Sequence, residues 1–205
     1  MRIVAANEIQ HWLESGQILE KDPRGPKVVA LKNNSFLKIF YTRKHPFLAR
    51  LQPANRKFAQ NSISLRQLDF NAPKVTDLFW VDRDKGISGC LYDPLPGRSL
   101  EKILNEDGNA FHQILPNLAA FIFRLHKQGV YFRSLHLGNI IDLGNGSFGL
   151  IDILDLRFKR KALSRNLIKR NFLHLENYIK RSNNKNFQVS FLKDEYEKIS
   201  GIKLR

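Results

Sequence analysis

Residues 132–152 constrain the fold of this chain more than any other segment. A polar loop, FRSLHLGN, precedes two apolar stretches that are separated by Gly-Asn-Gly at 144–146. Such a turn between two apolar stretches predicts a β-hairpin. Because a hairpin returns the chain on itself, Asn139 before it and Asp152 after it are expected to lie close together. The sequence therefore predicts two neighbouring polar side chains at the open end of a hairpin.

Asn139 and Asp152 have the chemistry of magnesium ligands. A phosphoryl-transfer site uses amide and carboxylate oxygens to hold Mg²⁺ against the phosphates of the nucleotide. Either residue alone is more often structural, Asn139 as the cap of a turn and Asp152 as the end of a strand. The joint pattern favours a site that binds ATP and Mg²⁺.

The first half of the chain is predicted to form a small antiparallel sheet with one helix packed on it. Alternating apolar stretches predict four strands, at 27–32, 35–42, 74–81 and 86–93. Apolar residues at helical spacing predict a helix over 54–68. A shorter helix is predicted at 7–15, ahead of the sheet.

The second half is predicted to be mainly helical. A turn at 95–98 precedes an apolar stripe that begins at Phe111 and ends before Gly129. Pro116 interrupts this stripe and is expected to start or kink the helix. Basic or mixed helices are predicted at 161–180 and 191–199. The predicted fold class is α+β, with two lobes joined near 92–98.

The loop and the hairpin resemble the catalytic loop of kinases, H-x-D-L-x-x-x-N followed by a strand and the metal-binding Asp. They are more similar to the H-G-D-L-H-x-G-N form of aminoglycoside-phosphotransferase-like kinases. The residues that match this form are Leu135, His136, Gly138 and Asn139. The chain also resembles the small Gram-negative kinase-like proteins labelled toluene tolerance proteins, which are relatives of the lipopolysaccharide core (Kdo/heptose) kinases. The segments 95–100, 130–139 and 149–152 carry this resemblance.

The resemblance implies a two-lobed protein-kinase-like fold with a reduced C-terminal lobe. The expected organisation is one domain over 1–205, with an N-lobe of about 1–92 and a C-lobe of about 98–205. The implied activity is an ATP-dependent phosphotransferase of the lipopolysaccharide-core kinase type, acting on an envelope sugar or glycolipid.

The nucleotide-binding residues implied in the N-lobe are Lys38, Asn61 and Tyr92. Lys38 lies on an apolar strand and matches the lysine that holds the α- and β-phosphates. Asn61 occupies the helix position where these kinases carry the glutamate that pairs with this lysine, and Tyr92 lies where the lobes join. The segment 21–27 corresponds to the loop that covers the phosphates, but it has one glycine, Gly25, and departs from G-x-G-x-x-G.

Ser134 stands where the resemblance calls for the catalytic aspartate, five residues before Asn139, and Phe132 replaces the usual histidine. Because a serine hydroxyl is a poor base, His136 and Asp155 are candidates to replace the missing carboxylate. For His136, a loop histidine that hydrogen-bonds the backbone is the simpler expectation. Two functions stay open: an active kinase with an unconventional base, and a pseudokinase that binds nucleotide or partners and regulates or scaffolds envelope biogenesis.

The charge of the chain is concentrated at one end. The formal net charge is +15, and residues 157–205 contain fourteen Lys and Arg against four Asp and Glu. This excess predicts a polyanionic partner: nucleic acid, anionic lipid or a phosphorylated glycolipid. The resemblance favours the lipopolysaccharide core or an anionic membrane surface among these. The predicted basic face comprises Lys159, Arg160, Lys161, Arg165, Lys169 and Arg170. Specific nucleic-acid binding is not expected, since no basic–aromatic stacking motif supports it.

The sequence predicts a cytoplasmic protein, with peripheral binding at the inner membrane. It contains no apolar run of about 20 residues, and its N-terminus lacks the pattern of a secretory signal. Cys90 is the single cysteine, so no internal disulfide can form.

Overall fold

The computed structural model describes residues 1–42, 45–182 and 187–204. The chain divides into two compact units. The N-terminal unit comprises Met1–Gln67 and Ala72–Pro94, and the C-terminal unit comprises Leu68–Asn71 and Leu95–Arg205. The fold is α+β, as the sequence predicts.

The N-terminal unit contains a six-stranded sheet with the strand order β1-β5-β6-β4-β3-β2. Its strands are β1 (Arg2–Ile3), β2 (Gln17–Asp22), β3 (Gly25–Ala30), β4 (Phe36–Phe40), β5 (Lys74–Asp82) and β6 (Ile87–Asp93). The prediction of a purely antiparallel sheet is wrong at one edge, because β1 pairs with β5 in parallel. Strands β1 and β2 were not predicted, since β1 has two residues and β2 is almost fully exposed and has no buried alternation.

Three helices accompany this sheet. They are α1 (Ala6–Ser15), α2 (Pro46–Leu51) and α3 (Ala54–Gln67). Helix α3 buries Phe58 and Leu65, as its periodicity predicts. At its start the buried Asn55 side chain donates hydrogen bonds to the carbonyls of Phe79 and Gly89, at 2.9 and 2.8 Å. These two bonds tie α3 to the adjacent strands β5 and β6.

The C-terminal unit is built from four helices and five short strands in its described part. The helices are α4 (Leu100–Glu106), α5 (Gly108–Lys127), α6 (Arg165–Arg181) and α7 (Val189–Ser200). The strands are β7 (Arg98–Ser99), β8 (Val130–Phe132), β9 (Ile140–Gly144), β10 (Ser147–Leu150) and β11 (Leu156–Phe158). They form a three-stranded sheet, β10-β9-β7, and a two-stranded sheet, β11-β8.

Helix α5 continues through Pro116 without interruption. The expectation that Pro116 starts this helix is wrong, because the helix begins at Gly108. Asp107 caps this end: its carboxylate accepts hydrogen bonds from the backbone N–H groups of Asn109 and Ala110, both at 3.0 Å.

The hairpin of β9 and β10 has the predicted turn. Asn145 and Gly146 have positive φ angles of 54° and 73°, which a tight hairpin turn requires. The other edge of β10 is covered by the segment Leu68–Asn71. There Leu150 donates its N–H to the carbonyl of Asn71 at 3.0 Å, and the Asn71 amide donates to the carbonyl of Phe148 at 3.1 Å.

No helix among the described residues is both long enough and apolar enough to cross a membrane.

Candidate functional site

The loop between β8 and β9 is held by its own hydrogen bonds. Leu135 N–H donates to the carbonyl of Phe132 at 3.2 Å, and Asn139 N–H donates to the carbonyl of His136 at 2.9 Å. The Asn139 side-chain amide closes the loop by donating to the carbonyl of Ser134 at 3.1 Å. Leu135 and Leu137 are buried and fix the loop to the core of the C-terminal unit. The polar residues between them are therefore held in defined positions.

The two predicted metal ligands lie at one end of the hairpin. Ile151 N–H donates to the carbonyl of Asn139 at 3.0 Å, so Asp152 follows directly after a residue bonded to Asn139. Asp152 has φ 50° and ψ 45°, the left-handed region that residues other than glycine rarely adopt. Such a conformation costs about 1–3 kcal/mol and is concentrated at functional sites. The residue itself is exposed, so its carboxylate is accessible to a ligand.

Ser134 is hydrogen-bonded to Asp155, a contact that the sequence did not predict. The Ser134 hydroxyl donates to Oδ2 of Asp155 at 2.7 Å. Oδ1 of the same carboxylate is buried and has no hydrogen-bond partner. A buried carboxylate oxygen without a donor is costly, and in native proteins it commonly marks a site for water, an ion or a ligand.

His136 is held by ring stacking. Its ring lies 4.1 Å from the ring of Tyr178 with an interplanar angle of 12°, and the Tyr178 hydroxyl donates to the carboxylate of Glu101. Nδ1 of His136 is buried without a partner, so the expected hydrogen bond to the backbone is not made by this atom. Burial lowers the pKa of His136, while the carboxylates of Glu101, Asp152 and Asp155 act in the opposite direction.

Gly138 lies where Glu101 and His136 pack closely against the loop. A Cβ at this position would lie 3.0 Å from Oε2 of Glu101 and 3.3 Å from two atoms of the His136 ring. These distances are shorter than ordinary contacts, so any larger residue would displace the carboxylate or the ring. The close packing of Glu101 and His136 thus explains why a glycine suits this position of the loop.

The residues of the loop fit a magnesium ion bound with a nucleotide. Within the described part of the chain, the buried side-chain N and O atoms without a partner are His136 Nδ1 and Asp155 Oδ1, both at this site. Asp152 and Asp155 offer carboxylate oxygens, and Asn139 keeps Oδ1 because its Nδ2 bonds Ser134. Oxygen donors are what Mg²⁺ prefers, and phosphate oxygens and water usually complete its shell. No group of three or more His, Cys, Asp or Glu side chains in the described ranges could hold a metal unaided.

A buried polar chain supports the strand that leads into this loop. The Asn171 amide donates to the carbonyl of Phe132 at 2.5 Å, and its Oδ1 lies 3.1 Å from Nε2 of His126. Nδ1 of His126 lies 2.9 Å from the hydroxyl of Tyr196. Because the Asn171 oxygen accepts, His126 carries its proton on Nε2 and accepts from Tyr196 through Nδ1. Burial lowers the pKa of His126 to about 4, which keeps the ring neutral.

The predicted nucleotide-binding residues of the N-terminal unit are buried. Lys38 is 8% exposed, and its Nζ lies 5.7 Å from the ring centroid of Phe58 on α3. Asn61 follows Phe58 by one turn and is also buried, so Lys38 reaches the helix face that carries Asn61. The ring of Tyr92 packs against Phe58 and Phe36, at centroid distances of 5.8 and 5.6 Å.

The segment 21–27 forms the turn of the hairpin β2–β3, where Lys21 pairs with Pro26 and Asp22 with Gly25. Its basic side chains are largely neutralised locally. Arg24 bonds the carboxylate of Asp22 at 2.5 Å, and Lys27 bonds Glu20. These charges are therefore already paired without a ligand.

Sequence reasoning missed Glu101, Tyr178, His126 and Asn171. Glu101 and Tyr178 are 77 positions apart, and His126 and Asn171 are 45 apart. No local pattern can reveal contacts over such separations. One local feature could have indicated that Asn171 and His126 are buried. Each lies on the apolar face of its helix, at a position that is usually hydrophobic.

Comparison with solved structures shows a kinase-like relationship in fold. A medium-resolution structure of WbdD, described as a bifunctional kinase-methyltransferase, matches with a TM-score of 0.51 and 18% identity over 86% of this chain. A co-crystal structure of WbdD with the kinase inhibitor LY294002 matches with a TM-score of 0.50 and 18% identity over 86% of the chain. Monomeric WbdD matches with a TM-score of 0.50 and 20% identity over 83%. The matches span 42%, 43% and 44% of the respective WbdD chains.

No family model and no curated protein matches the chain. At 18–20% identity the likeness to WbdD shows the fold alone. The more specific resemblance to the toluene tolerance proteins therefore stays a prediction.

Proposed function

We propose that this chain is an ATP-dependent phosphotransferase of the lipopolysaccharide-core kinase type, acting on a sugar or glycolipid of the cell envelope. The observation that carries the proposal is the loop at 132–139, in which Asn139 adjoins the strained Asp152 and the Ser134 hydroxyl bonds the Asp155 carboxylate. The kinase-like fold supports the reaction class. The proposed class of phosphate acceptor, an envelope sugar or glycolipid, rests on the sequence resemblance to the lipopolysaccharide-core kinases.

The proposed roles divide between metal and phosphate binding. Asn139 and Asp152 would hold Mg²⁺, which supplies neutralisation of the phosphate charge when it is bound. Lys38 would bind the α- and β-phosphates, with the Asn61 amide as a neutral replacement for the usual glutamate. Tyr92 would contribute to nucleotide binding from the end of β6.

Ser134 and Asp155 together can do the work of the absent catalytic aspartate. The Ser134 oxygen has lone pairs free to accept the hydrogen of an acceptor hydroxyl, while its own proton points to Asp155 at 2.7 Å. As the acceptor oxygen bonds to the γ-phosphorus, the bond from that phosphorus to ADP would break and ADP would leave. The acceptor proton would pass to Ser134, and the proton of Ser134 would pass to Asp155. His136, stacked on Tyr178, is the alternative proton acceptor.

The proposed partners beyond ATP are the lipopolysaccharide core or an anionic membrane surface, and no specific nucleic acid. Arg157, Lys159, Arg160, Lys161, Arg165 and Arg170 are exposed. A cytoplasmic protein that binds the inner membrane peripherally would use such a surface.

The second candidate is a pseudokinase that binds nucleotide or partners and regulates or scaffolds envelope biogenesis. The observation that favours it is the loss of two carboxylates, at Ser134 and at Asn61, which kinases use for proton acceptance and for the ion pair with the lysine. The kinase requires nucleotide binding and turnover, whereas the pseudokinase lacks turnover and binds either nucleotide or partners.

The testing experiment measures the melting temperature with ATP and Mg²⁺, and then phosphoryl transfer to purified lipopolysaccharide core. ATP with Mg²⁺ is expected to raise the melting temperature, because a ligand selective for the folded state stabilises it. Asp152→Ala should abolish the rise and Lys38→Ala should weaken it. Asp84→Ala, at a carboxylate whose side chain is 97% exposed, is the matched control. No rise at millimolar nucleotide would refute the ATP site and with it the kinase, leaving only a pseudokinase that binds partners. A rise without transfer to any envelope glycolipid would select a pseudokinase that binds nucleotide.

A further inference from the structure

One cleft of the N-terminal unit is lined by three arginines beside apolar residues. The cleft has a volume of about 320 Å³. Its basic lining residues are Arg50 of α2, Arg56 of α3 and Arg83 after β5. The other lining residues are Met1, Ile3, Pro53 and Trp80. Pro53 and Trp80 are buried, so the accessible lining of the cleft is mainly polar.

The charges of these arginines are not neutralised within the described chain. Arg50 approaches Asp84 at 3.9 Å, but the Asp84 side chain is 97% exposed, so this contact is weak. The Arg56 and Arg83 side chains make no hydrogen bond or ion pair with any residue that the structure describes. Arg2, on the neighbouring strand β1, is by contrast bonded to two carboxylates. The cleft therefore lacks anionic partners for its charge.

The helix that borders the cleft exposes an apolar face to solvent. Phe47, Leu48 and Leu51 of α2 are 55%, 53% and 63% exposed. Their spacing places them on one side of the helix, while Ala49 is buried on the other side, where Gly86 leaves room for its methyl group. Met1 and Ile3 are exposed at the cleft itself. Five of the eleven large hydrophobic residues that the described chain exposes thus lie on α2 or in the cleft.

We infer that this surface, formed by the cleft and the exposed face of α2, docks onto an anionic phospholipid membrane. Arginines beside exposed apolar side chains are the composition of surfaces that lie at a membrane interface. The guanidinium groups would bind headgroup phosphates in the cleft, and Phe47, Leu48 and Leu51 would enter the boundary between headgroups and acyl chains. A nucleic acid would satisfy the arginines but leave the apolar side chains in water, so the membrane fits both observations.

The inference does not depend on nucleotide binding, and it concerns a different unit from the basic helix α6. The test uses the full chain with vesicles of phosphatidylcholine, with and without phosphatidylglycerol. The native Cys90 is completely buried and should not react with a thiol-specific dye. In the variant Leu51→Cys, an environment-sensitive fluorophore would therefore attach only at position 51, on α2. Its emission should shift to the blue with anionic vesicles and stay unchanged with neutral ones. The same label on Leu19→Cys, on the strand at the opposite edge of the sheet, should not shift.

Charge reversal and apolar substitution separate the two components of the surface. Arg56→Glu with Arg83→Glu should reduce sedimentation with anionic vesicles at least tenfold, and Phe47→Ser with Leu48→Ser should reduce it by a similar factor. The matched control is Leu19→Ser with Lys21→Glu, which should change it less than twofold. Circular dichroism and melting curves establish that each variant is folded, and Arg56→Gln with Arg83→Gln replaces any charge-reversal variant that is not.

Several outcomes would overturn the inference. They are an unshifted label at position 51, sedimentation that is indifferent to both pairs of substitutions, and equal loss in the control pair. Binding of DNA that needs the arginines but not Phe47 and Leu48, with no binding of anionic vesicles, would show a nucleic-acid surface instead. With Lys159, Arg160 and Lys161 reversed, the label should still shift once enough anionic vesicles are added to saturate binding, which separates this surface from the basic segment of the C-terminal unit.

Discussion

At the residue scale, the structure changes what Ser134 means for catalysis. A serine in place of the catalytic aspartate suggests a lost base when it is considered alone. Bonded to Asp155 at 2.7 Å, it belongs to a pair whose carboxylate lies one hydrogen bond further from the acceptor. In the proposed mechanism, the role of the aspartate is taken by a carboxylate 21 positions further along the chain.

The first prediction tests this displaced base. Asp155→Asn should lower the rate of phosphoryl transfer by about 10²–10⁴, the usual range for loss of a general base. The ATP-induced rise in melting temperature should persist, because a base acts chiefly on the chemical step. Ser134→Asp alone would place two carboxylates side by side, and their repulsion should make it neutral or harmful.

The control for this prediction is the double variant Ser134→Asp with Asp155→Asn. It provides one carboxylate at the position that kinases use, with an amide beside it, and should recover transfer relative to Asp155→Asn. If Asp155→Asn transfers phosphate at the parental rate, Asp155 has no part in proton transfer. If Ser134→Asp alone raises the rate strongly, the parent is a kinase that has simply lost its base.

The second prediction concerns the buried His126 and the pH dependence of stability. Its pKa is lowered from the usual 6.5 to about 4 by burial. Above pH 6.5 the ring is neutral in both the folded and the unfolded state, so His126 adds no pH dependence there. Between pH 6.5 and 4 the unfolded state takes up the proton first, and the free energy of unfolding should fall by about 3 kcal/mol.

Urea unfolding at pH 7, 6, 5 and 4 measures this loss. Carboxylates also titrate in this range. The variant His126→Phe therefore serves as the reference, because its pH dependence of stability contains every contribution except that of the histidine. The parent should lose stability more steeply than the variant between pH 6.5 and 4. Parallel curves would mean that His126 titrates alike in the folded and unfolded states.

At the element scale, the sequence predicted those elements whose own residues specify them. Helix α3 has an apolar periodicity, and the hairpin β9–β10 has a specific turn. Each of these local features is enough to predict its element. Strand β2 has neither, and it exists because β3 offers it a hydrogen-bonding edge. The candidate site divides in the same way. The proximity of Asn139 and Asp152 follows from the hairpin, whereas the stacking of His136 on Tyr178 depends on how α6 packs, which no local pattern encodes.

The third prediction concerns Pro116 inside α5. A proline cannot donate to the carbonyl four residues earlier, at His112, and it crowds that carbonyl. Because Pro116 is exposed, its ring contributes little packing that alanine would lose. Pro116→Ala should therefore raise the free energy of unfolding by about 1–3 kcal/mol.

Denaturant unfolding of Pro116→Ala beside Gln113→Ala measures this effect. Gln113 is an exposed residue of the same helix, and its replacement should change stability by less than about 0.5 kcal/mol. A destabilised Pro116→Ala would mean that the proline fixes a bend on which the packing of α5 depends.

At the scale of the whole molecule, the net charge is +15. Backbone hydrogen bonds fix the position of one basic part of the chain, the segment 159–163. Lys159 N–H donates to the carbonyl of Gly129 at 2.9 Å, and Leu163 N–H donates to the carbonyl of His126 at 2.9 Å. Gly129 makes this approach possible, since a Cβ there would lie 2.5 Å from the carbonyl oxygen of Lys159. The segment 159–163 is therefore fixed to the end of α5.

Buried apolar residues anchor this region to the C-terminal unit. Leu163 and Phe172 are both buried. Leu167 is half-buried, and its neighbour Ile168 is the residue that enters the core. Among the basic residues, Lys169 is half-buried and Arg165 bonds the carbonyl of Lys203, while Lys159, Arg160 and Lys161 are exposed.

The last prediction is that this basic segment binds the phosphorylated core of lipopolysaccharide or anionic lipid. A basic residue near an anionic membrane contributes about 1 kcal/mol, so reversing Lys159, Arg160 and Lys161 together should weaken sedimentation by at least about a hundredfold. The interaction should also weaken steeply with added salt, because the Debye length is about 8 Å at physiological ionic strength. The ATP-induced rise in melting temperature should be unchanged.

The control for the basic segment reverses three exposed lysines of the N-terminal unit, Lys21, Lys32 and Lys74. This triple variant changes the net charge of the molecule equally but leaves the segment 159–161 intact. If binding depends on a localised surface, only the first triple variant should lose it. If both lose it alike, the net charge alone attracts the polyanion and the position of the basic segment is irrelevant. Equal sedimentation with neutral vesicles would contradict an electrostatic interaction altogether, since a neutral surface offers the lysines and arginines no counter-charge.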